Sequence, residues 1–264
     1  MKIQVDEMQP KQAAFTVLDS DIYIINSLRR IMLSELPKLA IDNVIIYDNT
    51  TALFDEIISH RLGLIPVPTD LSLLNFREEC TCNGEGCPSC TVRYTLSKEG
   101  EGMVYSGDLQ ANEESWKITE DKVPIVELYN NQRLILEVEA VLGRGCDNAK
   151  WQPVVAPGFR YIPTIRFDPK KKDDVQDFIN ELPDGLVTLK KDTIELNDIK
   201  DLAVFESYIS KEKIDFINIE LDEQRVQFHF QTDGSLHAKD AIGKSIEILQ
   251  EKIDEFEKQL KKLK

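Results

Sequence analysis

Residues 21–36 read DIYIINSLRRIMLSEL, and this stretch predicts the first helix of the chain. Just before it, Asp19-Ser20-Asp21 supplies the short polar side chains that cap helix N-termini. Pro37 ends the helix, because proline disfavours the helical conformation in the residue before it. The helix is amphipathic, since apolar residues recur at near-helical spacing at Ile24, Leu28, Ile31 and Leu36.

Two adjacent arginines, Arg29 and Arg30, lie in the middle of this helix. Asn26 lies one turn earlier on the same side. Such a pair can simply belong to a solvated face. The apolar residues that flank it favour a second interpretation, in which the planar guanidinium groups contact carboxylates or backbone at a protein interface.

Strands are predicted on both sides of the helix by alternation of apolar and polar residues. Residues 168–211 differ from this pattern. Their sequence predicts short helices and a small hairpin, with little hydrophobic core. The predicted strands are two within 2–18, broken at Gln9-Pro10, then 40–49, 91–98, 125–128, 133–142, 160–167, and a hairpin of 214–221 with 225–232 around a turn at 222–224.

The last predicted helix, residues 235–264, carries an uninterrupted heptad pattern. Its narrow apolar stripe would pack against a partner or against the body of the domain. The residues of the stripe are Ile242, Ile246, Leu249, Ile253, Phe256, Leu260 and Leu263.

Four of the five cysteines, Cys80, Cys82, Cys87 and Cys90, fall within eleven residues. Four neighbouring thiolates form a soft, tetrahedral ligand set that suits Zn²⁺ or an iron–sulfur centre. Idle thiols in solvent would be liable to oxidation, which favours metal binding. We expect a structural zinc ion, because four protein ligands leave no open position for water. The ion would order a loop that has almost no apolar core.

The net charge of −15 limits what the chain can bind. A protein that binds nucleic acid without a partner needs Lys and Arg side chains to displace the counterions of the phosphates. Direct nucleic-acid binding is therefore not expected. Acidic membrane surfaces are disfavoured for the same reason. We see neither an apolar run long enough for a membrane helix nor a signal peptide, and we expect a cytoplasmic protein.

Catalytic motifs are not apparent in the sequence. His60 stands in His60-Arg61-Leu62-Gly63-Leu64-Ile65-Pro66 without a second histidine or a nucleophile nearby, so we assign it no catalytic role. Lys150 and Trp151 follow a Gly143-Arg144-Gly145 turn. Trp151 is either an interface anchor or a packed surface tryptophan.

Together these segments resemble the D subunit, also called subunit 3, of archaeal DNA-directed RNA polymerase. That family is similar to the third-largest subunit of eukaryotic RNA polymerase II and to the N-terminal domain of the bacterial α subunit. The segments that carry the resemblance are residues 26–32, Glu35-Leu36-Pro37, 40–44, Leu53, Asp55-Glu56, 60–66 and Gly143-Arg144-Gly145 with Ala149-Lys150-Trp151. Asn148 stands where the family usually has histidine.

The resemblance implies an α+β fold. A split dimerisation domain with a long C-terminal helix is interrupted by an inserted, mainly β domain that carries the four-cysteine metal loop, and a small α/β insertion follows. The expected boundaries are 1–38 and 212–264 for the dimerisation domain, 39–158 for the inserted domain, 159–167 for a return strand and 168–211 for the small third domain.

The resemblance also implies a role. The chain would be a non-catalytic assembly platform that pairs with the small L subunit (subunit 11), receives the small N subunit (subunit 10) and nucleates assembly of the large catalytic subunits. Some family members bind an iron–sulfur cluster in the third domain. Residues 168–211 contain no cysteine, so such a cluster is not supported here.

Residues of this chain can be placed in those interfaces by the same resemblance. The expected large-subunit surface consists of Asn26, Arg29, Arg30, His60, Arg61, Lys150 and Trp151. The expected dimerisation residues are Ile242, Ile246, Leu249, Ile253, Phe256 and Leu260. Two rival hypotheses are a stand-alone zinc-dependent nucleic-acid binder, against which the acidic balance argues, and an enzyme with Cys146 as nucleophile, which lacks an evident base.

Overall fold

The computed structural model describes residues 1–190, 193–212 and 214–262. This part of the chain has a mixed α/β fold. Its helices are α1 (Ile22–Ser34), α2 (Asp55–Gly63), α3 (Lys172–Glu181), α4 (Leu202–Glu212) and α5 (Ala238–Lys262). Its strands are β1 (Lys2–Met8), β2 (Gln12–Leu18), β3 (Pro37–Asn49), β4 (Thr91–Glu99), β5 (Gly102–Tyr105), β6 (Gln110–Ala111), β7 (Pro124–Leu128), β8 (Arg133–Arg144), β9 (Val154–Phe167), β10 (Val187–Leu189), β11 (Thr193–Leu196) and β12 (Ile217–Thr232).

The described strands form three sheets. The largest has the order β1-β2-β12-β9-β11-β10, the second has the order β3-β8-β4-β6, and β5 pairs with β7. No helix within the described ranges is both long and apolar enough to cross a membrane. Two compact units can be distinguished: residues 1–6, 14–25 and 158–229 form one, and residues 7–13, 26–157 and 230–264 form the other.

The β3-β8-β4-β6 sheet has one apolar face. Along β8 the side chains from Leu134 to Ala140 alternate between buried and half-buried, as the sequence pattern predicts. Leu62 of α2, Tyr94 of β4 and Trp116 pack into the same core. The Tyr94 hydroxyl donates a hydrogen bond of 2.7 Å to the backbone carbonyl of Trp116. A buried polar group is thus satisfied inside the core.

The hairpin predicted within residues 214–232 is wrong, because residues 217–232 form the single strand β12. None of the residues 222–224 has a positive φ, the conformation that the common two-residue hairpin turns require. The carbonyl oxygen of Gln224 accepts a hydrogen bond of 3.0 Å from the backbone N–H of Asp19. That long-range bond helps to keep the segment extended, and a local sequence pattern does not show it.

The expectation of little core within residues 168–211 is also wrong. Phe178 of α3 and Phe205 of α4 are buried, with ring centroids 6.1 Å apart. Val175, Ile194 and Phe167 belong to the same cluster. Each short element contributes at most two fully buried apolar side chains, so the core forms only when the elements come together.

Helix α5 begins at Ala238, three residues later than predicted. Before it, Gly234 has a φ of +99° and the carboxylate of Asp233 accepts hydrogen bonds from the backbone N–H and the hydroxyl of Ser235. This turn delays the first helical residue. Leu263, the last residue of the predicted stripe, lies outside the described residues.

Asp233 also forms an ion pair with Lys38 of β3. The pair is shielded from solvent, because the two side chains are only 4% and 16% exposed. The backbone N–H of Asp233 donates a hydrogen bond of 3.0 Å to the carbonyl of Pro153. One residue therefore connects the end of β12, the start of β3 and the segment that precedes β9.

Replacing Asp233 with alanine should lower the free energy of unfolding by about 3–5 kcal/mol, because it leaves Lys38 charged, buried and unpaired. Urea unfolding followed by circular dichroism measures this loss. The matched control is Glu120→Ala, which removes a carboxylate from Lys11 in a pair that is 52% and 38% exposed. That change should cost at most about 1 kcal/mol. Equal losses in both variants would contradict the role given to Asp233.

Candidate functional site

The four clustered cysteines lie together in the loop between residues 77–79 and β4. Their sulfur atoms are all within 4.8 Å of one another. The Cys80–Cys87, Cys82–Cys90 and Cys87–Cys90 sulfur pairs are 3.4, 3.6 and 3.9 Å apart. A tetrahedral ion with metal–sulfur bonds of about 2.3 Å would place its sulfurs about 3.8 Å apart. The four thiols can therefore hold one metal ion.

The loop reaches this geometry through three tight turns. The backbone N–H groups of Asn83, Glu85 and Cys90 donate to the carbonyls of Cys80, Cys82 and Cys87. Gly84 and Gly86 have φ values of +85° and +92°. A β-carbon would strain these two positions, so the glycines allow the chain to curl around the sulfurs.

Backbone hydrogen bonds stabilise the ionised form of one of the four thiols. Hydrogen bonds from the backbone N–H groups of Cys87 and Gly86 lower the pKa of the Cys82 thiol to about 5. For Cys80, the backbone N–H of Cys82 lowers the pKa, but the sulfurs of Cys87, Cys82 and Cys90 together with burial raise it to about 11 overall. Four sulfurs at this spacing cannot all ionise without a cation between them.

Arg77 connects the four-cysteine loop to the β3-β8-β4-β6 sheet, on the face opposite its apolar core. Its Nε donates a hydrogen bond of 2.9 Å to the carbonyl of Gly84, and its guanidinium lies 3.5 Å from the carboxylate of Glu139 on β8. Burial raises the pKa of Glu139, but hydrogen bonds from Arg93 and Asn43 and the charges of Arg93 and Arg77 outweigh it, so the pKa is lowered. The carboxylate thus stays charged and holds both arginines.

The structure explains the Gly143-Arg144-Gly145 segment by close packing. A β-carbon on Gly143 would overlap the indole ring of Trp151, and one on Gly145 would overlap the carbonyl oxygen of Leu33 at the end of α1. The backbone N–H of Cys146 donates a hydrogen bond of 3.0 Å to the carbonyl of Ser34. The strand β8 extends through Arg144, so the turn predicted at 143–145 starts later.

Three sequence segments converge on one cavity of about 520 Å³, lined among others by His60 of α2, Asp42 of β3 and Lys150. Lys150 forms an ion pair with Asp42 and lies 4.4 Å from the ring centroid of Trp151. The Trp151 indole N–H donates a hydrogen bond of 3.1 Å to the carbonyl of Val141. Lys150 and Trp151 therefore have partners within the chain, while His60 is exposed.

Arg61 and the arginines of α1 differ in their surroundings. Arg61 donates a hydrogen bond of 2.6 Å to the carbonyl of Ile125. Asn26 accepts a hydrogen bond of 3.1 Å from Arg29, as expected for residues one helical turn apart. Arg30 is exposed.

The predicted stripe on α5 is largely open to solvent. The exposed fractions of Ile246, Ile253, Phe256 and Leu260 are 50%, 58%, 64% and 47%. Ile242 and Leu249 are half-buried. The first half of the helix thus contacts the rest of the chain, and the second half presents an uncovered apolar face.

Sequence reasoning missed Asp42 and Arg77. Asp42 lies 108 residues from its partner Lys150, and Arg77 lies in a polar loop. Local spacing carries no signal for either contact, because both depend on how the sheet brings distant segments together.

Comparisons with known proteins agree with this architecture. Residues 41–160 match the family model described as the RNA polymerase Rpb3/RpoA insert domain, which places this part of the chain in a domain class of DNA-directed RNA polymerase subunits.

Relatives extend the match to nearly the whole chain. The protein is 35% identical to "DNA-directed RNA polymerase subunit Rpo3" of Methanosphaera stadtmanae, over 96% of each chain. It is 35% identical to the protein of that name from Thermoplasma volcanium, over 96% of this chain and 92% of the relative. It is 34% identical to that of Methanosarcina acetivorans, over 97% of each. The chain belongs to the archaeal RNA polymerase subunit Rpo3 family, which confirms the resemblance seen in its sequence.

Gly145→Ala should destabilise the chain by about 1–3 kcal/mol, because the new methyl group meets a backbone carbonyl that no side-chain rotation can move. The midpoint of urea unfolding measures this. Gly243→Ala on α5 is the matched control, since its β-carbon would meet nothing. That variant should gain about 0.5–1 kcal/mol. A Gly145→Ala midpoint at or above the unmodified one would refute the packing argument.

Proposed function

We propose that this chain is the non-catalytic assembly platform of an archaeal DNA-directed RNA polymerase. It would pair with the small L subunit, receive the small N subunit and nucleate assembly of the large subunits. The carboxylates and Mg²⁺ that catalyse RNA synthesis would lie on the large subunits. Because archaeal cells keep their DNA in the cytoplasm, we place the complex there.

The uncovered stripe of α5 is the observation that carries this proposal. Soluble monomers rarely expose a continuous row of large apolar side chains. Residues 250–262 are all exposed, so the described chain itself does not cover them. A heptad repeat is the pattern by which one helix packs against another. We therefore assign the stripe Ile242, Ile246, Leu249, Ile253, Phe256 and Leu260 to the L-subunit interface.

One solvent-exposed ion pair joins α5 to the end of α1. Lys252 of α5 lies 2.9 Å from the carboxylate of Glu35, the residue that follows the end of α1 by one position. The stripe residues Ile253, Phe256 and Leu260, which lie at or beyond this pair along α5, remain uncovered and accessible to a partner helix.

We propose a second surface for a large subunit. It combines the cavity beside His60 and Lys150 with the guanidinium groups of Arg30 and Arg61. The convergence of α2, β3 and the segment before β9 on this cavity supports the assignment. Asn26 and Arg29 would support the same face, and Trp151 would brace Lys150 through its ring.

We propose that the Cys80, Cys82, Cys87 and Cys90 site holds one structural zinc ion. The sulfur spacing fits a tetrahedral ion, and an all-thiolate set with no open position suits structural Zn²⁺. The role of these residues is to close the loop around the ion and so fix its fold. The sequence alternative, an iron–sulfur centre, would absorb visible light and contain iron.

Elemental analysis should find about one zinc ion per purified chain. Cys82→Ser/Cys87→Ser should abolish that content, because two ligands cannot retain the ion against dilution. Cys146→Ser is the matched control and should keep the zinc, since Cys146 lies outside the cluster. Iron with visible absorbance, or no metal in the unmodified chain, would overturn the zinc assignment.

Ile253→Asp/Phe256→Asp should prevent the complex with a co-expressed L subunit, because the variant places two carboxylates in an apolar helix interface. Size-exclusion chromatography with mass spectrometry of the eluted species measures complex formation. Lys258→Asp is the control, because it changes the net charge by the same amount on the opposite side of α5. An intact complex with Ile253→Asp/Phe256→Asp would show that L binds elsewhere.

A further inference from the structure

A large open groove lies on the side of the four-cysteine loop that faces the end of β8. Its volume is about 770 Å³, which is within the range of ligand-binding clefts. One wall is formed by residues 76–79 with Asn83 and Gly84 of the loop, and the other by residues 141–144, Asp147 and Trp151. Both walls belong to the same compact unit.

Aromatic and apolar groups form part of the groove. Phe76 and Trp151 contribute their rings, and Val141 and Leu142 contribute buried aliphatic groups. Arg144 lies 4.4 Å from the ring centroid of Phe76. Such a surface can hold the aliphatic part of a long side chain or an extended backbone.

The open rim of the groove is negatively charged. Glu78, Glu79 and Asp147 are exposed, and none of them forms an ion pair with another described residue. Of the two arginines that line the groove, Arg77 is paired with Glu139, and Arg144 lies over the Phe76 ring, so three exposed carboxylates face one arginine without an ion pair among the described residues. The carboxylates of the rim are therefore available to a cationic partner.

We propose that this groove docks an extended segment of a partner protein that carries lysine or arginine side chains. The rim carboxylates would pair with the cationic heads, and the aliphatic stems would lie between the two walls of the groove. Charge complementarity selects this occupant, because a nucleic acid or an acidic segment would meet three carboxylates. The inference rests on the proposed function only in expecting the segment to come from another polymerase subunit.

The metal centre would control this surface. Gly84 and Asn83 line the groove between the second and third cysteines, and Glu78 and Glu79 directly precede Cys80. Without the ion, the loop lacks the contacts that fix this wall. Removing the metal should therefore remove the docking site while leaving the sheet behind it intact.

Fluorescence of Trp151 can report occupancy directly. The chain has two tryptophans, so Trp116→Phe leaves Trp151 as the only one. The substitution is conservative, because Tyr94 bonds to the backbone of residue 116 and not to its ring. In this background the probe is a short peptide of alternating lysine and alanine. It should change the Trp151 emission in a saturable way, and a peptide of alternating glutamate and alanine should not.

Charge reversal on the rim should weaken the lysine peptide selectively. Glu78→Lys/Glu79→Lys should raise its Kd at least about tenfold, because like charges then face each other. Glu99→Lys/Glu101→Lys changes the net charge equally at exposed positions outside the groove, and its Kd should stay within about twofold. Asp147→Lys, which lies outside the four-cysteine loop, should reproduce the effect if the first variant disturbs the metal site.

Three outcomes would overturn the proposal: equal weakening in the rim and control variants, an unchanged Kd in the rim variants, or a Trp151 response to the glutamate peptide. In the assembled polymerase, a photo-cross-linking residue at Asn83 should attach to a subunit segment with more Lys and Arg than Asp and Glu. A cross-link to nucleic acid or to an acidic segment would also overturn it. If the chain enters no polymerase, the proposed function fails, while the peptide titration still decides the groove.

Discussion

The buried ion pair of Lys38 and Asp233 is the contact on which the larger compact unit depends. Its two residues are 195 positions apart in the chain. The carboxylate of Asp233 also accepts a hydrogen bond from Ser235 in the turn before α5, and its backbone N–H donates to the carbonyl of Pro153 before β9. A charged pair in this position has to be satisfied completely, because either partner alone would be a buried, uncompensated charge. A fold that separated Lys38 from Asp233 would bury an unpaired charge and would therefore be less stable.

The fold of the four-cysteine loop depends on a different kind of contact. Residues 80–90 contain little apolar material, so hydrophobic burial cannot define their fold. Sulfur spacing, tight turns and the bond from Arg77 to Gly84 define it instead, and a bound ion would join these into one rigid piece. The loop then becomes a firm wall beside Gly143 and Trp151. A structural ion bound here would shape this surface without taking part in chemistry.

The described surface carries patches that differ in charge and exposure. The net charge of −15 is distributed over helix faces and loops, while cations such as Arg30, Arg61 and Lys150 occur in the segments shared with the polymerase family. The apolar stripe of α5, the cavity beside His60 and the acidic groove beside the four-cysteine loop differ in character. Surfaces of different chemistry on one chain would suit the proposed role as an assembly platform.

Features with a local cause were predictable from the sequence, because they depend on side-chain periodicity over a few residues. They are the heptad on α5, the helix α1, the alternation along β8 and the cysteine spacing. Features with a distant cause required the tertiary structure, since spacing along the chain carries no record of them. They are the continuous strand β12, the core around Phe178 and Phe205, the two pairs Lys38–Asp233 and Lys150–Asp42, and the packing of Gly145 on Leu33. By itself the sequence determined the local elements, the cluster of candidate metal ligands and the family. Only the folded chain decided which distant segments meet, because burial and close packing arise between elements and not within them.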